Sequence, residues 1–335
     1  MSRPACLIVN PTAGGGRALR AAPAVEHALR AHGLQLRRVD TRDLEHAREQ
    51  ALGAAHAGET VIALSGDGMV GALADALRAV PGAVLGVIPG GRGNDLARVL
   101  GIPQDPVAAC AVIAHGVQRP LDVGEVGARA FVGVASAGFD SDANRIANEA
   151  PAWLGNLVYA YGALRALAAW RPANFELELD PPGERLRLSG YSVVAANSRA
   201  YGGGMRIAPD ALLDDGLLDI VVIEQVGKLR FLTNLPKVFK GAHVGLPSVR
   251  VLRAAEVHIS ADRPFTLYAD GDPIGELPVR VRAVRAAVHV LVPATAPENH
   301  AFSQPSAADS APAAAPPGSA QAHAPAQPPG SAASA

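Results

Sequence analysis

The sequence predicts an α/β domain built on a mostly parallel sheet, followed by a strand-rich second domain. Three observations carry that expectation. Short branched apolar runs alternate with helix-length segments over the first third of the chain, the pattern of strands covered by helices on both faces. After about residue 120, strand-like runs succeed one another with turn signals between them and only two clear helical patterns. Beyond Pro293 apolar periodicity stops, and Ala, Pro, Ser and Gln dominate.

In chain order, "ACLIVN" (5–10) reads as a strand by its branched residues and runs into the turn "PTAGGG". A helical pattern over 17–33 closes on Gly33, a residue type suited to a C-terminal cap. Residues 34–40 and 43–58 repeat the strand and helix. "TVIALS" (60–65) is the next strand; Gly-Asp-Gly and a helix to Val80 follow, then the strand "AVLGVIP" (83–89). Later strands are expected at 129–140, 174–180, 185–198, 217–224, 248–260, 265–272 and 285–293, with helices at 154–170 and 228–241. The tail 296–335 is expected to be disordered, because its composition buries too little apolar surface to offset its ordering entropy.

A length of 335 residues, 49% hydrophobic, suffices for two domains of ordinary size with real cores. A formal net charge of −1 gives no sign of a nucleic-acid partner. Cys6 and Cys110 stand in neither metal-ligand nor CxxC spacing, which argues against a disulfide scaffold and fits a reducing compartment. The N-terminal apolar run is too short for a signal peptide, and no uninterrupted apolar stretch reaches membrane-spanning length. A cytoplasmic protein is expected.

Three turns share one design, each directly after an expected strand: "NPTAGGG" (10–16), "SGDGM" (65–69) and "PGGRGND" (89–95). Glycine-rich strand-to-helix turns present backbone N–H groups and the positive end of a helix dipole, which suits phosphate. Neither GxGxxG nor GxxxxGK[ST] is present, so this is a different phosphate-binding design. Asp67, Asp95, Asp122 and Asp270 each lie near an expected strand end. One such Asp is ordinary turn chemistry. Four beside phosphate-binding turns read better as a site for Mg²⁺ and an attacking hydroxyl, since phosphoryl transfer needs a positioned phosphate, a divalent cation and a carboxylate. The ten histidines show no ligand spacing.

"IVNPTAGGGRA", "SGDGM", "IPGGRGNDLARVLGIP", "PLDVGEV" with "FVGVASAGFD", "APDALLDDGLLDIVVI" and "YADGD" before "VHVLVP" occur in that order. Together they resemble the diacylglycerol kinase catalytic-domain family, bacterial lipid kinases similar to sphingosine and ceramide kinases. The resemblance covers about residues 4–293. It implies an ATP-binding α/β domain at 1–125, to which 283–295 return. A β-sandwich-like lipid-substrate domain follows at 126–282, with the site in the cleft, the two-domain architecture of NAD kinases and diacylglycerol kinases. It further implies that Asn10, Pro11, Thr41, Ser65, Gly66, Asp67 and Gly68 hold ATP and that Asp270 is the general base, with an ordinary carboxylate pKa of about 4. Asp95 and Asp122 correspond to a water and Mg²⁺ network. "LLDDGLL" corresponds to a structural Mg²⁺ loop, with ligands from Asp215 and the carbonyls of Leu212 and Leu217.

The sequence also departs from the family pattern. Ser65, Met69, Gly71 and Ala72 stand where Gly, Thr, Asn and Glu are usual, Arg92 replaces a Thr, and Asp272 replaces the Glu after the base. Met69, Arg92 and Asp272 are expected in the nucleotide site. Each lost polar contact is worth about 0.5–1.5 kcal/mol, and Arg92 could offset the loss through phosphate. The leading reading is a lipid kinase acting on diacylglycerol; an NAD kinase-like enzyme and a degenerate nucleotide- or lipid-binding sensor are the alternatives. A lipid substrate requires transient contact with the inner membrane surface. Residues 228–244 mix Leu and Phe with Lys228, Arg230, Lys237 and Lys240, as either an interfacial helix or a packed amphipathic one would. The particular lipid and a homodimer stay open.

Overall fold

The computed structural model describes residues 3–148, 158–171, 173–294 and 301–303. The first part alternates as expected: β1 (Arg3–Val9), α1 (Ala13–Ala31), β2 (Leu34–Asp40), α2 (Leu44–His56), β3 (Thr60–Ser65), α3 (Asp67–Leu77) and β4 (Val84–Pro89). The regular part of α1 begins at Arg17, because Gly14, Gly15 and Gly16 take left-handed φ of 59°, 67° and 83°. Asp43 caps α2, accepting from the His46 N–H at 2.8 Å. Two helices absent from the sequence expectation follow, α4 (Asp95–Val99) and α5 (Pro106–His115), the second capped by Asp105 with Pro106 in its first turn.

The strand-rich part comprises β5 (Val117–Val126), β6 (Arg129–Phe131), β7 (Val134–Gly138), α6 (Phe139–Asn148), α7 (Val158–Ala169), β8 (Ala173–Asp180), β9 (Glu184–Ala196) and β10 (Leu218–Glu224). It continues with α8 (Lys228–Asn234), β11 (Val249–Ala254), β12 (Glu256–Ala261), β13 (Thr266–Ala269), β14 (Asp272–Glu276) and β15 (Val279–Val292). The strand expected over 129–140 is two short strands and the start of α6. The helix expected over 228–241 ends at Asn234 and passes into a 3₁₀ turn, Leu235–Lys240, where Pro236 has no N–H to continue the α ladder. Residues 154–157 of another expected helix lie outside the described residues, as do 296–300 and 304–335 of the tail. Ala301–Ser303 are packed rather than disordered: the Leu213 N–H donates to the Ala301 carbonyl at 2.8 Å, and Ser303 N–H to Asp214 at 2.6 Å.

The fifteen strands of the described residues join one sheet. Its parallel part runs β2–β1–β3–β4. At the outer edge of β4 comes β15, paired parallel through His289–Val84 and Val290–Leu85. Earlier residues of the same strand pair antiparallel with β12, through Val279–Ile259 and Arg282–Glu256, and residues from Arg282 to Val292 pair antiparallel with β5. From β12 the order continues β8–β9–β7–β13–β14, with β10 and β11 on a branch from β9. The core of the parallel part is aliphatic, with Leu7, Ile8, Leu29, Ile62, Leu73 and Leu85 fully buried. The second core is aromatic: Tyr191 stacks on Phe231 at 4.1 Å between ring centres and on Trp170 at 5.7 Å, and Phe139 meets Phe231 edge-on at 4.8 Å.

Candidate active site

The carboxyl ends of adjacent parallel strands bring their turns together, and here all three glycine-rich turns touch. A Cβ on Gly14 would lie 2.5 Å from the Gly90 carbonyl oxygen, and one on Gly91 would collide with the Gly66 Cα. Only residues without side chains permit this approach. The third turn is tied to the second through Ser65, whose carbonyl accepts from the Gly90 and Gly91 N–H groups at 2.7 and 3.1 Å. Asn10, at the head of the first turn with Pro11, accepts from the Thr12 N–H and hydroxyl at 3.1 and 2.9 Å. The Gly-Asp-Gly stretch is not a left-handed turn. Gly66 caps α3 at φ −96°, and Asp67 and Gly68 form its first helical turn. A Cβ on Gly68 would meet nothing within 4 Å, so that face of the helix terminus is open.

Asp67 and Asp95 flank Gly93, where a Cβ would sit 3.1 Å from Asp67 Oδ2 and 3.4 Å from Asp95 Oδ2. Asp67 Oδ1 accepts from the Leu96 N–H at 3.1 Å. Asp95 is buried; its Oδ2 accepts from the Gly203 N–H at 2.7 Å, while Oδ1 is buried with no hydrogen-bond partner among the described residues. Burial pushes the Asp95 carboxyl up, and the nearby Asp67 charge adds to that. Two adjacent carboxylates with an unsatisfied buried oxygen fit a hard divalent cation.

Asp270 and Gly271 form the two-residue turn between β13 and β14, with φ of 51° and 96° and with Ala269 paired to Asp272. Asp-Gly is the sequence pair that such a hairpin turn demands. The Asp270 carboxylate is held by three consecutive N–H groups: Val132 donates to Oδ2 at 2.9 Å, and Gly133 and Val134 donate to Oδ1 at 3.0 and 3.1 Å. Its pKa is not ordinary. Burial raises it to about 6 against the opposing pull of these bonds, and the Asp67 charge adds to the rise. Gly71 backs onto the same carboxylate, a Cβ there falling 3.1 Å from Oδ2. Asp270 opens into a cleft of about 220 Å³, shared with Leu44, Arg48, Gly68, Gly71 and Asp272 among others.

Several sequence-predicted residues stand elsewhere or in other roles. Met69 is a core side chain, 3% exposed, so it does not line the cleft. The Thr41 hydroxyl donates to the Val9 carbonyl at 3.2 Å, joining the ends of β1 and β2. Arg92 is exposed and forms no ion pair among the described residues. Asp122 does not join the carboxylate cluster: it accepts from the Gly216 and Ala286 N–H groups at 2.6 and 2.7 Å and pins the 212–217 loop to β15. In that loop Asp215 is paired with Arg253 and accepts from the Leu217 N–H at 3.0 Å. A guanidinium on the one carboxylate fits poorly with a cation shared with the Leu212 and Leu217 carbonyls. Among the described residues no group of three or more His, Cys, Asp or Glu could hold a metal.

The sequence reading missed three features. Arg48, on the cleft-facing side of α2, lines the cleft with no ion pair among the described residues; its helical spacing from Leu44 is the only sequence signal. Asn197 is fully buried and donates to the Asp122 and Val132 carbonyls, both at 2.9 Å, which fixes the bend between β6 and β7 that supplies N–H groups to Asp270. Asn94 takes φ 53° and closes the third turn through the Gly91 N–H at 2.8 Å. No helix of the described residues is long and apolar enough to cross a membrane.

The family "Diacylglycerol kinase catalytic domain" matches residues 4–126, and "YegS C-terminal NAD kinase beta sandwich-like domain" matches residues 133–292. A diacylglycerol kinase of Mycobacterium tuberculosis is 36% identical over 298 residues, covering 85% of this chain and 94% of the relative. A diacylglycerol kinase of Bacillus subtilis is 28% identical over 254 residues, covering 75% of this chain and 82% of the relative. The crystal structure of a diacylglycerol kinase from Bacillus anthracis superposes with a TM-score of 0.67 at 20% identity, covering 87% of this chain and 97% of that one, and so shares the fold.

Proposed function

The chain belongs to the diacylglycerol kinase catalytic-domain family, and on that premise we propose that it transfers the γ-phosphate of ATP to a hydroxyl of a membrane lipid, most simply diacylglycerol. The observation that carries the reading is Asp270, a carboxylate fixed by three backbone N–H groups at a cleft that begins beside the phosphate-type turns. The turns at 10–16, 65–69 and 89–95 would cradle the phosphates through backbone N–H groups and the α3 terminus. Asp67 and Asp95 would hold Mg²⁺, which when bound neutralises charge on the transferring phosphoryl group. Asp270 accepts the hydroxyl proton as the acceptor oxygen bonds to Pγ and the bond from Pγ to the β-phosphate oxygen breaks, releasing ADP. A base with a pKa of about 6 is ionised at neutral pH and close enough to it to take a proton late in a loose transition state.

The test is transfer of label from γ-labelled ATP by the purified protein, with Mg²⁺, to diacylglycerol in mixed micelles, run beside NAD as acceptor. Labelled phosphatidic acid is the expected product. Labelled NADP would establish the NAD kinase-like activity instead, and nucleotide binding with no transfer to any acceptor would leave a sensor.

A further inference from the structure

From Gln225 to Ala255 the chain carries Lys228, Arg230, Lys237, Lys240, Arg250 and Arg253 and no acidic residue. Arg250 and Arg253 are neutralised by Glu224 and by Asp215. Arg230, Lys237 and Lys240 are exposed and form no ion pair among the described residues. Between them stand large apolar side chains that face out of the fold: Leu229 is 76% exposed, Phe239 53% and Leu232 37%. The segment is nonetheless firmly rooted. Phe231 and Val238 point inward and are buried, and the Lys228 ammonium donates to the Ala168 carbonyl at 2.9 Å.

Accepting that the acceptor resides in a membrane, we propose that α8 and the 3₁₀ turn after it form the surface that docks on an anionic phospholipid bilayer. Leu229, Leu232 and Phe239 enter the headgroup–acyl boundary, while Arg230, Lys237 and Lys240 meet the lipid phosphates. Exposed leucine and phenylalanine interspersed with basic side chains, in a segment free of acidic residues, match a surface that is apolar below and anionic above. A second copy of the chain is a poor occupant, since a two-fold contact would set this positive face against itself. The face is also coupled to the chemistry. Phe231 packs on Phe139, the first residue after β7, and β7 pairs with β13 beside Asp270. Docking therefore sets the base at a fixed offset from the bilayer.

The experiment is vesicle co-sedimentation of the full chain with phosphatidylcholine alone and with phosphatidylcholine mixed with phosphatidylglycerol. Wild type should favour the mixed vesicles. Leu229→Asp with Phe239→Asp, and separately Arg230→Gln with Lys237→Gln and Lys240→Gln, should each weaken that binding about tenfold or more. Melting temperature and phosphorylation of a short-chain, water-soluble acceptor should be unchanged. Wild-type vesicle binding by both variants would overturn the proposal. So would a change from dimer to monomer in sedimentation velocity, which would make this a face between copies, and so would equal competition by single-stranded nucleic acid. Intact docking through this face by a protein that phosphorylates no lipid would leave the proposal standing and remove the kinase reading.

Discussion

The carboxylate of Asp270 is where chemistry and local fold coincide: it is a hairpin turn residue and, in the proposed reaction, the base. Its raised pKa of about 6 fixes the sign of a pH effect. The ionised form accepts the proton, so kcat should fall as pH drops through about 6, and this group should add no loss above it. Asp270→Asn should lower kcat about a thousandfold near neutral pH and remove the acid-side fall, so the ratio to wild type narrows below about pH 6. Its effect on stability at neutral pH is the difference of two opposed changes, relief of a buried charge and an amide NH₂ facing one of the three N–H donors. Arg48→Ala should raise KM for ATP about tenfold, while Arg92→Ala changes it less than about twofold, since Arg48 lines the cleft and Arg92 does not. "YADGD" and the three glycine-rich turns were readable because their signals are local. The donors to Asp270 come from Val132–Val134, far away in the chain, and no pattern announces such a pairing. Met69 misled for a related reason: only the helix phase, which turns it into the core, distinguishes it from Gly68 beside it.

At the scale of elements, boundaries moved wherever a helix began without a break in apolar sequence. α6 starts at Phe139 directly after β7, so apolar residues that read as one strand belong to two elements. Pro236, by contrast, was visible, and its missing N–H accounts for the end of the expected helix. The pairing of β10 with β11 sets Asp219 opposite Arg253. Asp219 is 3% exposed, the Arg253 Nε lies 3.6 Å from its Oδ1, and burial raises its pKa to about 6. The folded state therefore holds this proton more tightly than the unfolded state, whose Asp pKa is about 3.9, and stability from this group falls as pH rises from about 4 to about 6. Asp219→Asn should stabilise the protein by about 1–3 kcal/mol at pH 7.5 and by almost nothing at pH 4, read from denaturant melts. Arg253 keeps Asp215 as partner in that variant.

At the scale of the molecule, the chain up to Ser303 forms one compact unit. Composition marks everything past Pro293 as tail, yet Ala301–Ser303 complete the 212–217 loop and are joined by Arg119, which donates to Asp214 and to the Ser303 carbonyl at 3.0 and 3.1 Å. A chain ending at Ser303 should therefore melt as the full chain does, whereas one ending at Ala294 should lose about 1–3 kcal/mol as buried partners are stripped from Asp214. The long strand β15 has a further consequence, for the order of synthesis. A ribosome completes β1 to β4 early, but their outer neighbour arrives only when residues 279–292 emerge, so the nascent parallel sheet waits with the edge of β4 unpaired. A fragment ending at Val126 should accordingly aggregate when expressed alone and become soluble when the remainder of the chain is supplied in trans. Cotranslational folding of this protein is thus gated by the last of its described strands.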